Sequence, residues 1–166
     1  MKSLAPSRRL VLALAFAAAL AGCASTPKPV NLAETLARDK DLSTLNDLVD
    51  KAGLRSTLAT SGPLTIFAPN NEAFKAVPAK TLEEIAANPE RLRQVLTFHV
   101  LPNKVMAAEV KVGPVKTLQG ANLALSRAGQ FVTVEDGMVT KGDINATNGV
   151  IHVVDRVLMP PAPARR

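Results

Sequence analysis

The chain has no Trp, no Tyr, a single Cys, two His and five Phe among its 166 residues. So few aromatics offer little surface on which single-stranded bases could stack. One Cys excludes an internal disulfide framework and any Cys-rich zinc site. The basic excess also fails to reach the body of the chain. Formal charge is +6, from 20 Lys plus Arg against 14 Asp plus Glu. Lys2, Arg8, Arg9, Lys28, Arg165 and Arg166 lie in the flanks, which leaves 14 basic and 14 acidic residues between Val30 and Pro160. The pI of about 9.8 is therefore a property of the ends, and a nucleic-acid partner is not expected. Catalytic signatures are missing as well. There is no Gly-x-Ser-x-Gly, no Gly-rich phosphate loop and no EF-hand spacing, so neither enzyme activity nor a resident cofactor or metal is expected.

Long apolar runs are scarce, and the one present is informative. Leu10 to Leu20 is eleven apolar residues preceded by Arg8 and Arg9. At about 1.5 Å per helical residue it is too short to cross roughly 30 Å of hydrocarbon. Basic start, short apolar run and small residues follow the layout of a secretory signal peptide. Leu20-Ala21-Gly22-Cys23 resembles the lipobox of bacterial lipoproteins. That resemblance implies cleavage after residue 22 and acylation of Cys23, which several chains would make a stable membrane anchor. Ala24 after the Cys implies outer-membrane sorting in a Gram-negative cell. Residues 23–30 then read as the lipidated Cys and a short tether, and residues 161–166 as a disordered tail.

The body, residues 31–160, starts helical. Leu42, Leu45, Leu48, Val49 and Ala52 recur at helical spacing, with Asp41 placed to cap the start and Gly53 to end it. Leu54 to Ala59 continues as a short helix, and Gly62-Pro63 breaks the chain. Leu64 to Ala68 reads as a strand, Pro69-Asn70-Asn71 as a turn, and Glu72–Val77 and Pro78–Ala87 as helices. Asn88-Pro89-Glu90 caps and opens another helix, in which Leu92, Val95, Leu96 and His99 share one face and Pro102 marks the end. The second half reads as strands: Val105–Val110, Val115–Leu118, Asn122–Ser126, Phe131–Glu135, Met138–Thr140 and Val150–Val157. Asp136-Gly137 predicts a hairpin. Helices first and strands later predict an α+β fold.

Thr65-Ile66-Phe67-Ala68-Pro69-Asn70-Asn71-Glu72-Ala73-Phe74 resembles the first signature of fasciclin domains. Phe98-His99 resembles that family's Tyr-His segment, without the phenol. Asp143-Ile144-Asn145-Ala146-Thr147-Asn148-Gly149-Val150-Ile151-His152-Val153-Val154-Asp155 resembles the second signature. The three lie in the family's order. The resemblance implies a β-sandwich or wedge of about seven strands with helices packed at one edge. It also implies adhesion: an envelope or matrix protein or a polysaccharide as partner.

The residues have physical reasons of their own. Phe67 and Phe74 can anchor a helix onto the sheet, Pro69 fixes the strand exit, Asn70 and Asn71 hold a turn, and Gly149 can take a positive φ. His99 and His152 sit at core-facing positions, where an imidazole can bond backbone carbonyls. As alternatives, with Met106, Met138 and Met159 they could serve a small apolar ligand such as haem. In animal relatives an Asp-Ile pair in this region has been tied to integrin binding; here Asp143 could equally hold a turn. The expected contact residues are Phe98, His99, Asp143 and Ile144. Thr65, Phe67, Pro69, Asn71, Phe74, Asn148, Gly149 and His152 form the expected structural signature.

Overall fold

The computed structural model describes residues 30–161. The signal segment, Cys23, nearly all of the tether and the tail after residue 161 lie outside the described residues. Among the described residues six helices come first: α1 (Leu32–Arg38), α2 (Ser43–Lys51), α3 (Arg55–Thr60), α4 (Asn71–Lys75), α5 (Ala79–Ala87) and α6 (Pro89–Phe98). One strand, β1 (Leu64–Pro69), lies among them. The rest follow: β2 (Val100–Leu101), β3 (Gly113–Lys116), β4 (Asn122–Ala128), β5 (Phe131–Val134), β6 (Gly137–Ala146) and β7 (Gly149–Val154). The seven strands form one sheet in the order β2-β1-β7-β6-β5-β4-β3. Only β1 and β7 run parallel, with Ile66 opposite Ile151 and Phe67 opposite His152. After β3 the chain returns to the other edge, where Leu118 N–H donates to Val100 O at 2.7 Å. The sheet is thus a nearly closed wedge with helices against one side.

Two apolar clusters flank the central strands. The helix-side cluster gathers Leu32, Leu36, Leu45, Phe74, Leu92 and Leu96 against Ile66, Ala68, Ile151 and Val153. The cluster inside the wedge gathers Phe67, Phe98, Leu123, Leu125, Val134 and Val154. β1 and β7 are buried on both faces along their full length, as their near-continuous apolar sequences require. β4 starts with exposed and buried residues alternating, the pattern of a strand wet on one face.

Local rules place most helix starts. Asn31, Asn70 and Asn88 each cap a helix, accepting from Glu34 N, Ala73 N, and Glu90 N with Arg91 N. Asp41 does not cap α2. Asn71, from the far side of β1, accepts from Thr44 N at 3.0 Å and donates to Lys40 O at 2.9 Å. The α1 helix has no counterpart in the sequence reading. It is too short to stand alone and is held by packing of Leu32 and Leu36.

Several expectations are corrected. Val105–Val110 is not a strand; it contains only a 3-10 turn at Ala107–Glu109. Side chains take its backbone instead, since Val105 N–H donates to Thr65 Oγ1 at 2.9 Å and Val105 O bonds His152 Nε2 at 2.8 Å. The strand expected at Met138–Thr140 continues to Ala146, past Gly142. The last strand stops at Val154, not Val157, and α6 stops at Phe98, ahead of Pro102. The β5–β6 hairpin forms, but Glu135 and Asp136 are its turn, with Glu135 at φ 51° and Gly137 already paired to Val134. Phe74 anchors on the helix side of the sheet, while Phe67 lies in the cluster inside the wedge. Gly149 is not at positive φ. A Cβ there would lie 2.1 Å from Leu64 O and 2.8 Å from Leu32 Cδ1, so close approach is what demands glycine.

Candidate interaction groove

The polar signature residues Thr65, Asn71, Asn148 and His152 hold backbone that regular structure leaves unpaired. Thr65 is fully buried; its hydroxyl donates to Asn103 O at 2.6 Å and accepts from Val105 N–H. Asn148 accepts from Leu32 N–H at 2.9 Å and donates to Leu58 O and Ser61 O at 2.9 and 2.7 Å. It therefore ties the start of α1 and the end of α3 to the β6–β7 turn. Pro69 ends β1 opposite Val154.

Both histidines are buried, at 2% exposure for His99 and 1% for His152. His99 Nδ1 lies 2.8 Å from Val95 O, and Nε2 accepts from Leu158 N–H at 3.0 Å. A carbonyl on one nitrogen and an N–H on the other fix the neutral Nδ1–H tautomer. Burial lowers its pKa to about 4, with the Val95 carbonyl pulling weakly the other way. His152 has the opposite tautomer. Its Nε2–H donates to Val105 O at 2.8 Å and its Nδ1 accepts from Asp143 N–H at 3.2 Å. The ring stacks on Phe67 at 5.6 Å between centroids. Burial lowers its pKa below the ordinary histidine value, opposed by the Val105 carbonyl and then by the Asp143 charge.

Beyond its hairpin, β6 parts from β5. The two strands pair only at Thr133 with Met138 and Val134 with Gly137. β6 then turns towards β7 through register shifts between Val139 and Lys141 and between Lys141 and Ile144. Asp143 stands in the second irregularity at φ 57°, a left-handed conformation that Asp tolerates better than most residues. Its carboxylate accepts from Ala107 N–H at 2.8 Å, and its carbonyl accepts from Asn145 Nδ2 at 3.1 Å. Between the parting strands lies an open groove of about 510 Å³, lined by residues that include Ala107, Phe131, Val139, Gly142 and Asp143. Phe131 is 66% exposed at its side. Arg127 braces the far end, donating from Nε to Gly129 O at 2.9 Å and from a terminal nitrogen to Ala108 O.

The four expected contact residues separate. Phe98 is 1% exposed and lies in the wedge cluster. Like His99, it faces inward and presents no side chain to a partner, because α6 turns both towards the core. Ile144 is half-buried against the helix-side cluster. Asp143 alone is exposed and lines the groove. Phe131 and Arg127 were not anticipated from sequence. A signal existed for Phe131: on β5 it shares parity with Thr133, while Val132 and Val134 point inward. The haem alternative finds no support in geometry. Both nitrogens of each imidazole are engaged, and the cavity beside His99 and Met159 holds about 10 Å³, room for one water.

Comparison with known proteins agrees with this architecture. The fasciclin-domain family model matches residues 40–160, so the chain belongs to the fasciclin-domain family. It is 40% identical over 140 residues to protein sll1483 of Synechocystis sp., covering 83% of this chain and 78% of that one. It is 35% identical over 132 residues to transforming growth factor-beta-induced protein ig-h3 of Sus scrofa, covering 78% of this chain but 19% of the relative. Immunogenic protein MPB70 of Mycobacterium bovis is 39% identical over 102 residues, 61% of this chain and about half of MPB70. Among solved structures, a FAS1 domain pair from the insect cell adhesion molecule fasciclin I matches with a TM-score of 0.59. Identity is 20%, over 71% of this chain and 45% of that one. That likeness bears out the fold: seven strands in a wedge with helices packed against it.

Proposed function

We propose that the domain is a non-enzymatic interaction module, tethered by a lipid at Cys23 to the cell envelope, that binds a protein or glycan in the groove beside Phe131 and Asp143. The outer membrane is its place in a Gram-negative cell. The observation that carries the reading is the parting of β5 from β6, which opens about 510 Å³ next to a mostly exposed Phe131. An exposed aromatic beside a concave, partly apolar surface is the composition of an interaction hot spot. Family membership supports the same class, since the matched insect protein is named as a cell adhesion molecule. Tethering raises the effective concentration of weak contacts at a surface.

The test places a photo-crosslinking amino acid at Phe131 in intact cells, and at Lys80 on exposed α5 as control. Capture of an envelope protein or glycan at 131 but not at 80 is the expected result. Equal capture at both positions, or capture at 80 alone, overturns the groove assignment. Cys23→Ser should abolish incorporation of labelled fatty acid and release the domain from membranes. Continued labelling in that variant would remove the anchor from the reading.

A further inference from the structure

Behind two residues of the groove wall, Gly142 and Asp143, lies a buried titratable ring. His152 lies beside Asp143, and the two are coupled through a hydrogen bond from Asp143 N–H to Nδ1 that exists only while that nitrogen is unprotonated. The neutral ring accepts Asp143 N–H, which leaves the Asp143 carboxylate free to hold Ala107 N–H, another residue of the groove wall. A proton on Nδ1 removes that acceptor and sets an N–H against an N–H. The nearest anion is the Asp143 carboxylate itself. It can accept from the new donor by turning towards the ring, and that turn loosens the bond its Oδ1 makes to Ala107 N–H.

We propose that His152 is a proton sensor for the interaction groove: protonation draws the Asp143 carboxylate from Ala107 to the imidazolium and rearranges the groove wall. This regulation rests on the interaction reading given above. The rearranging element is local and already irregular. Asp143 occupies a left-handed backbone conformation in a β-bulge, and Ala107 belongs to a single 3-10 turn. The bonds that hold this wall are those that the proton redirects.

The surroundings leave Asp143 as the respondent. From β1, the group against the ring is the uncharged Phe67. From β6 come Gly142 and Asp143, and from the segment before β3 comes Val105. The charged neighbours on these elements are engaged elsewhere. Lys104 donates to Asn145 Oδ1, Lys141 pairs with Asp39, and Glu109 accepts from Met106 N–H. Arg127 of β4 holds Gly129 O and Ala108 O. His99 belongs to a separate latch on Leu158.

The experiment is an NMR titration of the folded domain from pH 7.5 to 4.5, following the His152 ring and the backbone amides. It needs no partner, so it can fail while the interaction reading stands, and the reverse. The expected result is that the Ala107 and Asp143 amides shift with the same midpoint as the His152 ring. The shift should vanish in His152→Gln, whose amide can accept from Asp143 and donate to Val105 without titrating, and persist in His99→Gln. Asp143→Asn should lower the ring midpoint and abolish the Ala107 response. The proposal is overturned if the ring titrates while the Ala107 amide stays still. It is equally overturned if the Ala107 response survives His152→Gln, which would assign it to the Asp143 carboxyl alone. A ring that stays neutral until the domain unfolds also sinks it.

Discussion

Asn148 and Gly149 carry the heaviest local demands. Asn148 uses its side-chain oxygen and nitrogen on two segments, the start of α1 and the end of α3, that meet its turn only in the folded chain. Asn148→Ala leaves Leu32 N–H and the carbonyls of Leu58 and Ser61 without their partner. At about 1 kcal/mol net per bond, the loss expected in urea unfolding is about 2–3 kcal/mol. Gly149→Ala is harsher. Its Cβ would meet the Leu64 carbonyl, a backbone atom in a paired strand, so β1 and β7 must separate locally. The expected cost exceeds about 4 kcal/mol, in the range reserved for core disruption, and low soluble yield together with a lost unfolding transition would register it. An unchanged midpoint for Gly149→Ala would contradict the packing described.

At the scale of elements, helices are started by local caps and positioned by distant side chains. Asn88 was legible as a cap because its partners are two and three residues away. Asn71 was legible only as a turn former, because the helix it caps begins 28 residues earlier. Asn71→Ala should lower stability by about 1 kcal/mol, and hydrogen exchange should report the loss first at the start of α2. Likewise, Val105–Val110 carries strand-forming residues but makes no strand. Thr65 and His152 offer its backbone partners that no neighbouring strand supplies. The groove arises at this scale too, from register shifts in β6 that no residue in the hairpin announces.

For the whole molecule, the two buried histidines set the response to acid. Each is neutral in the fold, while an unfolded histidine binds a proton near pH 6.5. Below that value the unfolded state holds more protons, so stability falls with falling pH. For His99 the contribution is complete above about pH 6.5 and is lost as pH falls towards about 4. The full span is on the order of 3 kcal/mol. Urea midpoints measured across that range should fall, and His99→Gln should flatten part of the slope while lowering stability at pH 7. Phe131→Ala should do the reverse. It should shift stability by less than about 0.5 kcal/mol, as exposed substitutions do, while reducing partner capture.

What the sequence alone determined is what depends on near neighbours. The Asn88 cap, the Gly62-Pro63 break, the β5–β6 hairpin, the inward parity of the two histidines and each family signature by itself rest on residues within a few positions of one another. Tertiary structure decided the rest. The parallel pairing of β1 with β7 joins residues about 85 apart. The demand on Gly149 comes from the Leu64 carbonyl, and the inward turn of Phe98 from how α6 seats on the wedge. Asp143 faces the groove because β6 leaves β5 to follow β7. In each case the deciding partner, backbone or side chain, lies far along the chain, and local propensity cannot register it.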